Sequence, residues 1–238
     1  MDDAAAGSTI GGAAAGGPAA GGGTEAIEAA TIILLRDVGA GVECLMLQKT
    51  AGQTFGEHWV FPGGQVEAGD GPGPDGIRRA AVREAREETG LDLGTDDLVP
   101  LSHWMPPAGR AKRFSTWFFL ARLPDGARDV VIDGGEIGDQ MWTTATAALD
   151  RHRRGETLLA PPTWMTLHWL SEAPTVDAAL ARAAAGQVEH FTTQMVDDDG
   201  VLVALWAPDV AYGTGDLARA GARHRLRMER DGWRLERG

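Results

Sequence analysis

The sequence predicts an α/β (α+β) fold, preceded by a low-complexity tail and followed by a small β-rich appendage. Three observations carry this: short apolar runs alternate with helical patterns from Ala26 onward, one helix has clear start and stop signals, and two hairpin signals close the chain. The expected organisation is therefore a tail over 1–25, a domain over 26–173 and a helix-plus-hairpin appendage over 174–238.

The tail, rich in Ala and Gly, offers too little apolar surface to offset the entropy of ordering and is expected to be disordered. Ala30–Leu35 and Val42–Leu47 are apolar runs around a DVGAG turn, which signals a hairpin. Trp59–Phe61 is a short extended piece stopped by Pro62-Gly63-Gly64. A helix follows over Gly76–Thr89, with Asp75 as N-cap and Gly90 as the glycine just past its end. Ser115–Ala121 and Gly138–Trp142 are expected strands; Thr144–Arg153, Thr163–Glu172 and Val176–Ala185 are expected helices. In the tail of the chain, His190–Val196 and Val201–Trp206 flank DDDG, while Arg223–Met228 and Trp233–Arg237 flank ERDG. Each reads as a β-hairpin.

A formal net charge of −12 argues against a nucleic-acid or anionic-membrane surface, either of which needs a basic face. No apolar run approaches the ~18 residues of a membrane span. The N-terminus lacks a basic region followed by an apolar core, so no secretory signal is read there, and the cytoplasm is the expected compartment. Cys44 is the single cysteine; no intrachain disulfide can form, and its VECLML setting reads as core.

The informative stretch is PGGQVEAGDGPGPDGIRRAAVREAREETGL, residues 62–91. At 100° per residue, Glu84, Glu87 and Glu88 fall within about a third of a turn of one another. They border an apolar stripe that includes Ile77, Ala80, Ala81 and Ala85, and they occupy the negative end of the helix dipole. Two carboxylates ~5 Å apart repel by roughly 3 kcal/mol at an effective dielectric of ~20. A solvated acidic face, laced by Arg79, Arg83 and Arg86, is the ordinary explanation for such a helix. The bordering stripe and the glycine turn upstream favour divalent cations instead, which would remove the repulsion.

These residues resemble the Nudix hydrolases, whose box is written G-x5-E-x7-R-E-U-x-E-E-x-G-U, with U a bulky apolar residue. REAREETGL matches the second half, with Ala85 a small occupant of the first U, and VFPGG stands just before the turn. Gly64 begins the first half, and Asp70 stands where the pattern has Glu. The spacer from Asp70 to Arg83 is twelve residues instead of seven; Asp75 would satisfy the seven-residue count. Asp70 is favoured as the box acid, with GPGPD looped out before the helix, since that keeps GGQVEAGD whole.

The resemblance covers about residues 28–172. It implies an α/β/α sandwich around a mixed sheet, two or three Mg²⁺ or Mn²⁺ ions, and hydrolysis of a nucleoside diphosphate linked to another moiety. Carried over residue by residue, Glu84, Glu87, Glu88 and the Gly63 carbonyl would be metal ligands. Arg83 would pair with the box acid and orient the catalytic glutamate. The general base would be Glu84 or Glu136, the latter in GGEIGDQMW. Substrate phosphates need cations, and Lys49, Arg110, Lys112 and Arg113 flank the expected site, with Arg113 the first choice. The six histidines show no metal-ligand spacing and are read as structural or surface residues.

Within the family, the chain looks closest to a branch that includes acyl-coenzyme A diphosphatases. The shared features are the VFPGG entry, the extended spacer, His103-Trp104-Met105-Pro106-Pro107, the RFSTWFF strand from Arg113 to Phe119, APPTW and the C-terminal RHRL. The coenzyme A signature seen in such enzymes departs here, with Gln48 at an expected arginine and Glu57 at an expected glycine. Coenzyme A or acyl-coenzyme A is thus one expected substrate, and ADP-ribose or another nucleotide sugar the alternative. A nucleotide-sensing module is the main reading outside catalysis; intact Glu84, Glu87 and Glu88 favour the enzyme. Homodimerisation through the C-terminal hairpins is a third expectation.

Overall fold

The computed structural model describes residues 26–39, 41–52, 56–109, 112–127, 130 and 136–238. The N-terminal tail and Arg110 lie outside the described residues. The strands are β1 (Ile27–Val38), β2 (Gly41–Lys49), β3 (Trp59–Val60), β4 (Gly63–Gln65), β5 (Val99–Met105), β6 (Phe114–Arg122) and β7 (Ile137–Thr144), then β8 (Glu189–Thr192), β9 (Gln194–Asp198), β10 (Val201–Leu205), β11 (His224–Glu229) and β12 (Gly232–Arg237). The α-helices are α1 (Gly73–Thr89), α2 (Ala145–Arg153), α3 (Pro161–Leu170) and α4 (Val176–Ala185). Among the described residues, β1 to β8 form one mixed sheet along the path β3-β2-β1-β6-β5-β8, with β4 on β1 and β7 on β2. β1 runs parallel to β6 and β5 parallel to β8, while the other pairs of this sheet are antiparallel.

The period-2 alternation of β1 assigns the two faces. Ala30, Ile32 and Leu34 point to α1, where they meet Ile77, Ala80, Ala81 and Ala85. Ile33 and Leu35 point the other way, into a core shared with residues of α2, α3 and α4. Helices therefore cover both faces of the sheet, as in the expected α/β/α sandwich. Cys44 is in this second core; its Sγ donates to the Thr143 carbonyl, and burial pushes the thiol up to about 12.

The start of α1 differs from the expectation. Pro72, not Asp75, is the N-cap, and Gly73, Pro74 and Asp75 already belong to the first turn. Proline is tolerated there because the first N–H groups have no partner inside the helix, and an early aspartate suits the dipole. Of the GPGPD insert, only Gly71 and Pro72 loop out. Gly76 is required by this packing, since a Cβ there would overlap the Gly71 carbonyl. The end of α1 agrees with the sequence reading: Gly90 is left-handed and its N–H donates to the Arg86 carbonyl at 2.9 Å.

The stretch read as one strand over His190–Val196 is broken at Thr193. Its first part, β8, joins the main sheet beside β5, and its second part, β9, edges a separate four-stranded sheet, β12-β11-β10-β9. Phe191 on β8 stacks on Trp104 of β5, with ring centroids 3.9 Å apart, and Trp206 meets both rings edge-on. Aromatic burial of this size pins the second sheet to the first core. Several sequence features taken as lineage marks thus have packing roles. Trp104 is in the core, while His103 bonds Ser115 Oγ on the opposite face at 2.7 Å. Trp164 of APPTW packs against Trp233 of β12.

Arg225, in RHRL, makes a two-pronged bond to Asp209, 2.7 Å at each prong, with both side chains almost wholly buried. Burial alone would raise the Asp209 carboxyl. The guanidinium and the N–H groups of His224 and Ala211 outweigh it and hold the group at about 2. Asp209→Ala strands the buried guanidinium and is expected to destabilise the fold by about 3–5 kcal/mol in urea unfolding. The folded-state value lies below the ordinary 3.8, so this contribution is complete above about pH 4 and fades as pH falls towards about 2. Asp209→Asn is expected to remove that segment of the acid-unfolding profile.

Candidate active site

The site is assembled where the last two turns of α1 meet β4 and the ends of β2 and β7. β4 enters beside β1, with Gly63 opposite Thr31 and Gly64 opposite Ala30. Gly64 lies directly beneath Glu84: a Cβ there would run into that carboxylate and displace it. The Gly63 N–H donates to Glu88 Oε2 at 2.9 Å. The glycine turn therefore brings backbone against two of the three glutamates. Gly64→Ala is expected to push Glu84 aside and lower turnover by ~10²-fold, since displacements of about 1 Å carry that cost. A crystal structure of the variant with Glu84 unmoved would refute this.

The acids occupy different environments. Glu88 is buried, Glu84 half-buried and Glu87 exposed. Burial pushes the Glu88 carboxyl up, opposed by Lys49 and by the Gly63 N–H. Burial raises Glu84 as well, with Arg83 opposing and Glu88 and Glu87 adding to the rise. Lys49 is at the end of β2, where a bulge between Gln48 and Lys49 shifts the register against β7. Its Nζ is 2.6 Å from Glu88 Oε1 and 3.5 Å from Glu136 Oε2. Burial disfavours that ammonium, but Glu88 and Glu136 outweigh it and raise its pKa.

Arg83 is the second cation at the cluster. Nε and Nη2 bond Asp70 at 3.1 and 2.9 Å, Nη2 also donates to the Gln65 carbonyl, and Nη1 reaches Glu84 and Glu87 at 2.8 and 3.1 Å. The Arg83 bonds hold the Asp70 carboxyl below the usual carboxylate range, helped by the Glu67 N–H. The acid opposite Arg83 is thus Asp70, not Asp75, and the shorter side chain still reaches. Arg79, which the sequence reading left as a surface charge, donates to the Asp70 carbonyl at 2.6 Å. Its signal was its place one turn before Arg83 on the same helix.

The remaining sequence candidates make no described hydrogen bond to the three glutamates. Arg113 precedes β6 and donates through Nη2 to the Pro106 carbonyl at 3.1 Å. The described contacts of the glutamates run to Lys49, Arg83 and Gly63, not to Arg113. The Lys112 ammonium rests over the Phe114 ring. Glu136 is exposed beside Lys49, its carbonyl accepting from the Thr50 N–H.

Among the described residues, no three His, Cys, Asp or Glu side chains form a ready-made cage for a metal. The donor set nevertheless fits one. Three carboxylates with a backbone turn against them are an all-oxygen set suited to a hard divalent cation, and the positive charges of Lys49 and Arg83 show the field the cluster demands.

The NUDIX domain family model matches residues 26–170, more than half of the chain, so the chain belongs to the Nudix family. Nudix hydrolases generally use divalent metal ions. Among particular relatives, it is 38% identical over 72 residues to "Putative nudix hydrolase 1" of Caenorhabditis elegans, covering 30% of this chain and 18% of that protein. It is 29% identical over 141 residues to "Acyl-coenzyme A diphosphatase NUDT19" of Gallus gallus, covering 48% of this chain and 37% of that protein. The chain thus spans well under half the length of these curated relatives. A NUDIX hydrolase structure from Alicyclobacillus acidocaldarius shares the fold, with a TM-score of 0.60 and 21% identity, over 69% of this chain and 99% of that one. Among the described residues, no helix is long and apolar enough to cross a membrane.

Proposed function

We propose that this chain hydrolyses the diphosphate bond of a nucleoside diphosphate linked to another moiety, with Mg²⁺ or Mn²⁺ as cofactor and coenzyme A or acyl-coenzyme A as the substrate class. The observation that carries the reading is the convergence of buried Glu88 and half-buried Glu84 on the Gly63-Gly64 turn. A surface acidic stripe would have no reason to bury a carboxylate at the negative end of a helix.

In this reading Glu84, Glu87, Glu88 and the Gly63 carbonyl hold the cation. The chemistry a divalent cation supplies in such a site is neutralisation of phosphate oxygens and a water of lowered pKa. Arg83, fixed by Asp70, sets the rotamer of Glu84. Glu84 or Glu136 accepts the proton as water adds to phosphorus and the bridging oxygen leaves as a phosphomonoester. Lys49 and Arg113 meet substrate phosphates.

The coenzyme A assignment draws on the similarity to the Gallus gallus acyl-coenzyme A diphosphatase and on the insert within the box. A hydrolysis panel of coenzyme A, acyl-coenzyme A, ADP-ribose, NADH and dinucleoside polyphosphates, read by mass spectrometry, tests it. Release of 3′,5′-ADP from coenzyme A is expected. Cleavage of ADP-ribose alone would sink the coenzyme A assignment and leave a nucleotide-sugar diphosphatase.

A further inference from the structure

We propose that Lys49 is an exchangeable counter-cation of the glutamate cluster: its ammonium competes with the divalent cation for Glu88 and passes to Glu136 when that cation binds. The inference rests on the metal-binding reading above and adds a residue that sets how tightly the cation is held.

Among the described residues two cations touch the glutamates, and they are anchored differently. Arg83 is tied down away from the acids by a two-pronged bond to Asp70 and by the Gln65 carbonyl. It can release Glu84 and Glu87 without losing its place. The described partners of Lys49 Nζ are the two carboxylates alone, Glu88 at 2.6 Å and Glu136 at 3.5 Å. The Lys49 backbone is fixed, because its N–H donates to the His58 carbonyl and its carbonyl accepts from the Glu57 N–H. The Glu136 backbone is fixed beside it through the Thr50 N–H. The ammonium can therefore swing on a four-carbon stem between two acceptors whose main chains stay put.

The two acceptors differ in the way an exchange requires. Glu88 is nearly enclosed, its side chain 8% exposed, whereas Glu136 is 60% exposed at the rim. Glu88 already spends one oxygen on the Gly63 N–H, so the oxygen facing Lys49 is the one available to a metal. An ammonium and a divalent cation cannot share that oxygen, since like charges so close repel strongly in a half-buried site. Once moved to Glu136, the ammonium stands at the mouth of the cluster, where a substrate phosphate would meet it. The cluster is thereby stabilised by a charge of its own, at the cost of weaker metal binding.

The test uses the full chain, freed of metal with a chelator, and titrates Mn²⁺ without substrate at fixed ionic strength. Bound Mn²⁺ is read from the electron paramagnetic resonance signal of the free ion. Lys49→Met is expected to lower the Mn²⁺ dissociation constant by about tenfold or more, and Mn²⁺ is expected to raise its Tm further than that of the wild type. Lys49→Gln keeps a hydrogen bond to Glu88 without the charge and is expected to move the same way should the methionine variant fold poorly. Glu136→Gln is expected to weaken Mn²⁺ binding in the wild-type background but not beside Lys49→Met. Wild-type binding with equal or weaker binding in both Lys49 variants overturns the competition and leaves the metal site standing. An equal loss from Glu136→Gln in both backgrounds makes Glu136 a direct ligand and overturns the transfer. Mn²⁺ binding by none of these proteins overturns the metal-binding reading itself.

Discussion

Glu88→Gln is expected to lower turnover by on the order of 10²–10³, the scale lost when one preorganised charge contact to the reacting group is removed. It is also expected to cost about 1–3 kcal/mol of stability, because Lys49 would lose its main partner inside the fold. Glu87→Gln separates these effects. Its side chain is 58% exposed and its described ionic partner is Arg83, which keeps Asp70. Turnover should fall steeply while Tm stays within about 1 °C, as for surface substitutions within ~0.5 kcal/mol. Burial of Glu88, against the exposure of Glu87, is what separates the two variants in stability. Steady-state rates and thermal melts on the two variants check the pair. Unchanged turnover in both would remove the carboxylates from the mechanism.

Arg83→Ala is expected to be the most damaging substitution on α1. It removes five bonds at once and leaves Asp70, with a side chain 6% exposed, buried without its cation. The expected loss is about 3–5 kcal/mol of stability together with at least ~10²-fold in turnover. Arg83→Lys should not rescue it, since an ammonium cannot span both Asp70 oxygens and the Gln65 carbonyl as a planar fork does. Asp70→Asn isolates the orienting effect and is expected to cost 10–100-fold in metal affinity or turnover, as is usual for groups that hold metal ligands in place. The sign of the pH effect follows from the Arg83 bonds that lower the Asp70 pKa. The stabilisation is present above the ordinary aspartate value and lost as pH falls through the lowered one. Asp70→Asn should therefore flatten the acid limb of the stability profile.

Much of this was legible in the sequence because its signals are local. The β1–β2 hairpin, Gly90 as the end of α1 and the crowding of Glu84, Glu87 and Glu88 all follow from spacing within a few residues. The start of α1 was read three residues late, because Pro74 and the neighbouring glycines are turn formers until a first helical turn accommodates them. The choice of Asp70 over Asp75 depended on a contact across thirteen residues, which counting could pose but not decide. What no local pattern carried was cross-strand placement. Lys49 follows Leu45 and Leu47 on the face of β2 that packs against α1, but its meeting with Glu88 depends on where α1 ends against the sheet, and Thr193 breaks its strand where Phe191 joins Trp104 in the main sheet. Asp209 and Arg225 are sixteen residues apart, and neither announces the other.

The central claim is that the α1 carboxylates serve cation-dependent cleavage of a diphosphate bond. Its most direct test is product analysis by mass spectrometry, with chelator-treated protein and the diphosphate panel, with and without added Mg²⁺ or Mn²⁺. The expected result is a pair of phosphomonoesters from at least one nucleoside diphosphate derivative, formed only with the cation and lost in Glu87→Gln. Cleavage at the same rate in chelator, or in the Glu87 variant, would contradict the claim.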